Sequence, residues 1–186
     1  MGAALIELGD APAAWEPLGF APDAAGEIVL GDARLRLTGR GGGILAIRAP
    51  ELIADQPDGL PLAPWEPSRA PAASHPNGAT AVDHVVALTD SLARTVATLT
   101  AAGLDLRRST PNMAFLRLGP TILEVVERGG DPPRLWGLVV VVPELEGLGP
   151  LVGAPKDAVQ PGRRIATVSP EAGLGTALAL MTPRRT

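Results

Sequence analysis

His84 and Glu124 are the two residues of this chain best placed to do chemistry. His84 stands in the apolar run 82–88 and Glu124 in the run 121–127, and the β-branched composition of both predicts strands. Alternation along a strand puts Val82, His84, Val86 and Leu88 on one face, and Ile122, Glu124 and Val126 on one face of the other. An imidazole and a carboxylate among aliphatic walls can work as a general acid/base pair or fix a polar ligand. The plainer alternative is structural, with His84 bonded to a neighbour and Glu124 paired with Arg117 or with that histidine. Phe115 and Arg117 share a face of the predicted strand 113–118, where a guanidinium would suit a carboxylate ligand. Arg163 and Arg164 follow a turn at 160–162, and one of the two must face inward. The expected catalytic residues are therefore His84 and Glu124. The expected substrate-binding residues are Phe115, Arg117, Val86, Ile122 and Arg164.

These residues need elements to hold them. From Asp90 to Ala102, Leu92, Val96 and Leu99 recur at helical spacing and Gly103 stops the run, so a helix follows the strand that carries His84. Two strands about a Gly119-Pro120 turn come next, the second carrying Glu124. The same order is read earlier in the chain: a strand over 3–8, a short helix from Pro12 to Gly19, then strands at 27–30, 33–37 and 43–48. In this reading Leu35-Arg36-Leu37 matches Leu116-Arg117-Leu118, and Ile44-Leu45 matches Ile122-Leu123. It is read a third time as a fully apolar strand at 135–142, a short helix start over 144–152, and strands at 163–168 and 175–181. Residues 50–80, with prolines at 50, 57, 61, 64, 67, 71 and 76, read as an extended linker. Trp65 would pin that linker to the body, and His75 would be exposed in it. The expected organisation is a degenerate βαβββ module over 1–49, the linker over 50–80, a central module over 81–130 and a C-terminal module over 131–186.

Composition removes several classes of function. With 46% hydrophobic and 19% charged residues, the 186-residue chain folds despite 22 glycines and 20 prolines. A net charge of -4 and the lack of any long basic cluster argue against nucleic acid. The absence of cysteine rules out thiolate catalysis, disulfides and cysteine-ligated zinc. No apolar run is long enough to span a bilayer and the start does not read as a signal peptide, so a cytoplasmic protein without a membrane partner is expected. The glycine-rich stretch 40–43 lacks the lysine of a phosphate-binding loop, and no serine-hydrolase elbow occurs.

The segments DHVVALTDSLARTVATLTAAGL, MAFLRLGPTILEVVE, LWGLVVVVPELEGL and GRRIATVSPEAGLGTALALM together resemble the vicinal oxygen chelate superfamily. That superfamily includes glyoxalase I, bleomycin-resistance proteins and extradiol dioxygenases. The resemblance covers residues 80–183 well and 3–49 weakly. It implies an α+β protein whose repeated βαβββ modules form a cupped mixed β-sheet, with residues 81–186 making one complete glyoxalase-like cup around a small-molecule site. In metal-dependent members, the first and last strands of each module supply the ligands. Carried over, those positions fall on His84 and Glu124 in the central module, and on Leu138 or Gly137 and Ala179 in the third. In the first module they fall on Ala4 and Ala46. Only two of these positions bear a donor, so the expectation is a cup without a tightly held metal, binding a small, largely apolar molecule. A divalent metal, if bound, would rest on His84 and Glu124, and a lyase, isomerase or dioxygenase using that pair is the alternative. Homodimerisation is also expected, because the first module must bury its open sheet face against a second subunit or against the cup of its own chain.

Overall fold

A computed structural model describes residues 4–66, 73–130 and 132–184. Its strands form two mixed sheets. The larger has eight strands in the order β11-β12-β13-β10-β6-β9-β8-β7. Its first half is β6 (Ala81–Thr89), α2 (Leu92–Ala101), β7 (Asp105–Ser109), β8 (Met113–Leu118) and β9 (Thr121–Glu127). Its second half is β10 (Arg134–Val141), β11 (Lys156–Asp157), β12 (Arg164–Thr167) and β13 (Ala177–Met181). Each half has its fourth strand parallel to its first, and the two first strands, β6 and β10, pair antiparallel at the centre. The sheet is therefore a two-fold repeat.

Period-two burial decides the faces. Val85, Ala87, Ala114, Leu116, Leu118, Leu123, Val125, Leu138, Val140, Leu178 and Leu180 point into one continuous core. The opposite face carries His84, Val86, Glu124, Val139 and Ala179. Helix α2 begins at Ser91 rather than Asp90, and the Ser91 side chain caps nothing. The Glu127 carboxylate instead accepts from the Leu92 amide at 2.7 Å, joining the helix start to the end of β9. Gly103, at φ 102°, lets the chain leave the helix where an added Cβ would stand 2.3 Å from the Glu51 carbonyl oxygen.

No helix forms over 144–152. Gly147 and Gly149 take positive φ, and Pro143 and Pro150 bracket them, so the segment can only turn. In place of a helix, the N-terminal sheet covers the core side of β10.

That smaller sheet has the order β2-β3-β1-β4-β5, from β1 (Ala4–Leu8), β2 (Glu27–Leu30), β3 (Ala33–Leu37), β4 (Ile44–Ala49) and β5 (Leu62–Pro64). It is not a βαβββ module. β1 is parallel to β3, and β4 lies antiparallel on the other side of β1, as β10 lies beside β6. β5 then adds parallel to β4 as β13 does to β10. The N-terminal region is thus a shortened version of the whole cup. β3 corresponds to β9 and β4 to β10, which corrects the match of Leu35–Leu37 to Leu116–Leu118 and of Ile44-Leu45 to Ile122-Leu123. Ala4 consequently lies on the core face and Ala46 on the strand across from β1, so neither holds a ligand position.

Residues 50–66 are not a loose connection. Leu60 and Leu62 are fully buried and β5 is a ladder strand. Asp58 accepts from Arg94 Nε at 2.8 Å and from the Thr95 hydroxyl, fastening this segment to α2. Pro67 and Pro71 lie outside the described residues. His75, expected to be exposed, is only 6% exposed. Its Nδ1 accepts from the Ala21 amide at 3.2 Å and its Nε2 donates to the Val29 carbonyl at 3.0 Å, which satisfies both ring nitrogens in the neutral state. Asn77 binds the Leu18 carbonyl and the Ala79 amide.

The apolar face of the N-terminal sheet, with Trp15, Leu18 and Phe20 from the short α1 (Pro12–Trp15) and the turn after it, is covered within its own chain. An open face awaiting a second subunit is therefore not present at this sheet. Its other face is a lattice of ions in which Arg36 grips Glu27 through Nε and Nη2, and Arg48 meets Glu7. The two sheets are tied where Gly43 and Gly175 pass so closely that a Cβ on Gly43 would lie 2.9 Å from the Gly175 oxygen. There the buried Asp10 accepts from the Gly175 amide at 2.6 Å and from Trp15 Nε1 at 3.3 Å. Replacing Asp10 with alanine strands both donors and is expected to cost about 2–4 kcal/mol in urea unfolding, without loss of secondary structure in circular dichroism.

Candidate functional site

The site lies on the cup face, at the junction of the two halves of the large sheet. The β6–β10 ladder runs His84↔Val139 and then Val140↔Val82, leaving Asp83 as an extra residue on β6. At its other end the ladder runs Leu135↔Ala87 and then Gly137↔Val86, leaving Trp136 as the extra residue on β10. Both are β-bulges, which re-aim side chains. The two-fold repeat makes them equivalent: His84 corresponds to Gly137, so Asp83 corresponds to Trp136. The register also resolves the third-module position in favour of Gly137 over Leu138.

The first bulge builds a chain of charges. Asp83 Oδ2 accepts from His84 Nδ1 at 2.8 Å, and Asp83 Oδ1 from Arg163 Nη1 at 2.6 Å. Arg163 is 3% exposed and is held by the Thr182 carbonyl at 2.7 Å and by Gln160. On the other side of the ring, His84 Nε2 lies 3.4 Å from Glu124 Oε2. Burial pushes the Asp83 carboxyl up, but hydrogen bonds from His84 and Arg163, with their charges, outweigh it and leave the group below the ordinary aspartate range. An ionised Asp83 fixes the proton on Nδ1 of His84. Nε2 and the Glu124 side chain are then left facing each other on the side of the cavity.

Beside His84 opens a cavity of about 560 Å³. Its floor is Gly137, Val139, Ala177 and Ala179, its sides are Val86, Ile165, Pro170 and Leu174, and Trp136 stands at the wall, 45% exposed. The walls are almost wholly apolar, as small-molecule sites generally are.

The expected residues divide accordingly. His84 and Val86 line the cavity, and Glu124 reaches it through His84. Phe115 pairs with Glu124, and Arg117 with Ile122, on the β8–β9 side of the cup, outside the cavity wall. Phe115 is covered there by Arg108, 5.9 Å above its ring. Arg164 faces away and pairs with Glu146, which corrects its assignment to the lining. The inward arginine is Arg163, and it serves Asp83.

Arg163 is one of the two alternatives the turn at 160–162 offers, whereas Asp83, Trp136 and Thr176 are not marked in the sequence, because simple alternation places Asp83 on the wrong face and no sequence signal marks a bulge. A divalent ion would find His84 Nε2 and Glu124 here, with Gly137 and Ala179 at the equivalent positions of the other half. Among the described residues no group of three or more His, Cys, Asp or Glu side chains is arranged to hold a metal. This donor set does not fit the three or more protein ligands such an ion wants.

Two four-strand units joined through their first strands give the cupped, mixed α+β sheet of glyoxalase-like form that the sequence led us to expect. Among solved structures, the chain is similar to methylmalonyl-CoA epimerase from Mycobacterium tuberculosis, at 15% identity and a TM-score of 0.48, over 57% of this chain and 90% of that one. A methylmalonyl-CoA epimerase from Streptomyces coelicolor in complex with 2-nitronate-propionyl-CoA gives 17% identity and a TM-score of 0.48, over 58% and 97%. A hypothetical protein from Bacillus halodurans gives 15% and 0.46, over 56% and 95%. No sequence-family profile and no curated protein matches the chain. Among the described residues no helix is long and apolar enough to cross a membrane.

Because the folded Asp83 carboxyl titrates below its unfolded value, its ionisation stabilises the fold fully above the ordinary aspartate range, about pH 4, and that contribution is lost as pH falls through the folded value. Arg163→Leu removes the cation that favours ionisation. It is expected to cost about 2–4 kcal/mol at pH 7 and to move the acid-unfolding midpoint to higher pH, followed by tryptophan fluorescence.

Proposed function

We propose that this protein binds a small, largely apolar molecule in the cup, without a metal, with the polar end of the ligand on His84. The observation that carries this reading is the continuity of the cavity from an aliphatic floor to one oriented imidazole. The apolar floor supplies affinity through desolvation, and the fixed imidazole supplies direction. A ring held by Asp83 and Arg163 loses little freedom on binding, so the contact is preorganised.

A second reading has its own support. The ionised Asp83 behind His84 leaves Nε2 and Glu124 to exchange a proton with whatever lies in the cavity, which is the geometry of an acid/base pair. In it, Asp83 and Arg163 are positioning residues; the unprotonated member of the His84–Glu124 pair takes a proton from a carbon beside a carbonyl, and the protonated member gives one to the carbonyl oxygen, so that a neutral enol forms.

Titration calorimetry with 2-naphthol separates the outcomes. The wild-type protein is expected to bind one equivalent with a Kd on the order of 50 µM, unchanged by EDTA. Ala179→Phe, which fills the cavity from its floor, should abolish binding with the circular dichroism spectrum intact. His84→Ala should weaken binding about tenfold. A need for added Ni²⁺, Mn²⁺ or Fe²⁺ would overturn the metal-free reading. The acid/base reading predicts faster deuterium exchange at the α-carbon of 2-tetralone by NMR, lost in both His84→Ala and Glu124→Gln.

A further inference from the structure

The wall of the cavity narrows the class of molecule further, and this inference rests on the binding reading above. Three features bear on it. The first is shape. Gly137 and Ala177 are cross-strand neighbours, as are Val139 and Ala179, so the floor is paved with small side chains. Gly137 has no room for more, since a Cβ there would stand 3.1 Å from the Ala177 oxygen. Over this flat floor the bulge turns Trp136 to the cavity wall, where an indole presents a flat apolar face.

The second is charge. At the polar end Asp83 pairs with Arg163, and Glu124 lies against His84. Apart from the His84 imidazole, no ionisable side chain among the described residues lines the hollow, so a charged ligand would be buried there at a cost.

The third is Thr176, at the opposite end. It lines the cavity and is 3% exposed, and its hydroxyl has no hydrogen-bond partner among the described residues. A buried unpaired hydroxyl is costly and calls for an explanation. The oxygen is itself covered, so meeting a ligand requires a turn about χ1 to another staggered position. Thr176 precedes Ala177, the neighbour of Gly137, so it stands level with Trp136. His84 stands level with Val139 and Ala179. The two polar ends are thus separated by three residues along β13, about 10 Å.

We propose that the cup selects a neutral, planar, conjugated molecule with a hydrogen-bonding group at each end, one meeting the His84–Glu124 pair and the other Thr176, with its ring face against Trp136. Two fused aromatic rings fit that span.

The test is calorimetry on the full chain with 2,6-dihydroxynaphthalene, 2-naphthol and the saturated decahydronaphthalene-2,6-diol. Wild-type protein should bind the aromatic diol about tenfold more tightly than 2-naphthol. Thr176→Val keeps the shape but removes the hydroxyl. It should bring the two affinities within about twofold, chiefly by weakening the aromatic diol, and not lower the Tm. Trp136→Leu should weaken both aromatic ligands about fivefold and the saturated diol by less. A Thr176→Val protein that keeps the preference overturns the proposal. If it also melts lower, the hydroxyl is structural, bonded through water. Wild-type protein that binds 2-naphthol without preferring the diol overturns this inference alone. Wild-type protein that binds none of the three overturns the binding reading with it.

Discussion

The antiparallel pairing of β6 with β10 is the constraint on which the rest depends. It joins two four-strand units through their first strands, so that each unit's fourth strand flanks the junction. The twist of so wide a sheet turns one face inward. A regular ladder would have continued the alternation through Val82, His84, Val86 and Leu88, with Asp83 on the opposite face. Two bulges at equivalent positions add one residue each, and the repeat has used them differently. On β6 the bulge brings an aspartate alongside the histidine it follows, and on β10 it brings a tryptophan to the cavity wall.

The polar residues of the cup form a line from Arg163 through Asp83 and His84 to Glu124. Each is largely withdrawn from water, and withdrawal is tolerable because each has a partner. Direction follows from the order. An arginine held by a backbone carbonyl fixes the aspartate, the aspartate fixes the imidazole tautomer, and Nε2 is left facing Glu124 on the side nearest the cavity. Two alternative uses of one histidine, as an anchor or as a base, thus start from the same geometry.

The N-terminal sheet explains how the second unit of the cup survives without its helix. Pro143, Gly147, Gly149 and Pro150 forbid a helix after β10, and the exposed core face that would result is closed by β4 and its neighbours. The covering piece is itself a shortened copy of the cup, differing in what fills its corresponding face. Where the large sheet keeps small side chains and a hollow, the small one places Glu7, Glu27, Arg36 and Arg48, whose ion pairs occupy the surface. Asp10, bridging Trp15 and Gly175, fixes this sheet to the segment that leads into Thr176 and the cavity wall.

Much of this was legible in the residues. Apolar alternation and turn glycines located most of the strands, and the helical spacing of Leu92, Val96 and Leu99 located α2. The recurrence of one element order marked a repeat, because period and composition are local properties of a chain, and the family resemblance implied the cup with His84 and Glu124 on it. The sequence could not show which strands are neighbours. The N-terminal strands have the same order as a module but a different sheet, since parallel β1–β3 pairing depends on packing across the core. Nor could it show the bulges, which are set by the register of β6 against β10. Alternation therefore set Asp83 on the wrong face and left open which of Arg163 and Arg164 turns inward. Local chemistry determined the elements and the pair of reactive groups. Only the tertiary structure decided what stands behind that pair and beside it, because those contacts join residues up to eighty positions apart.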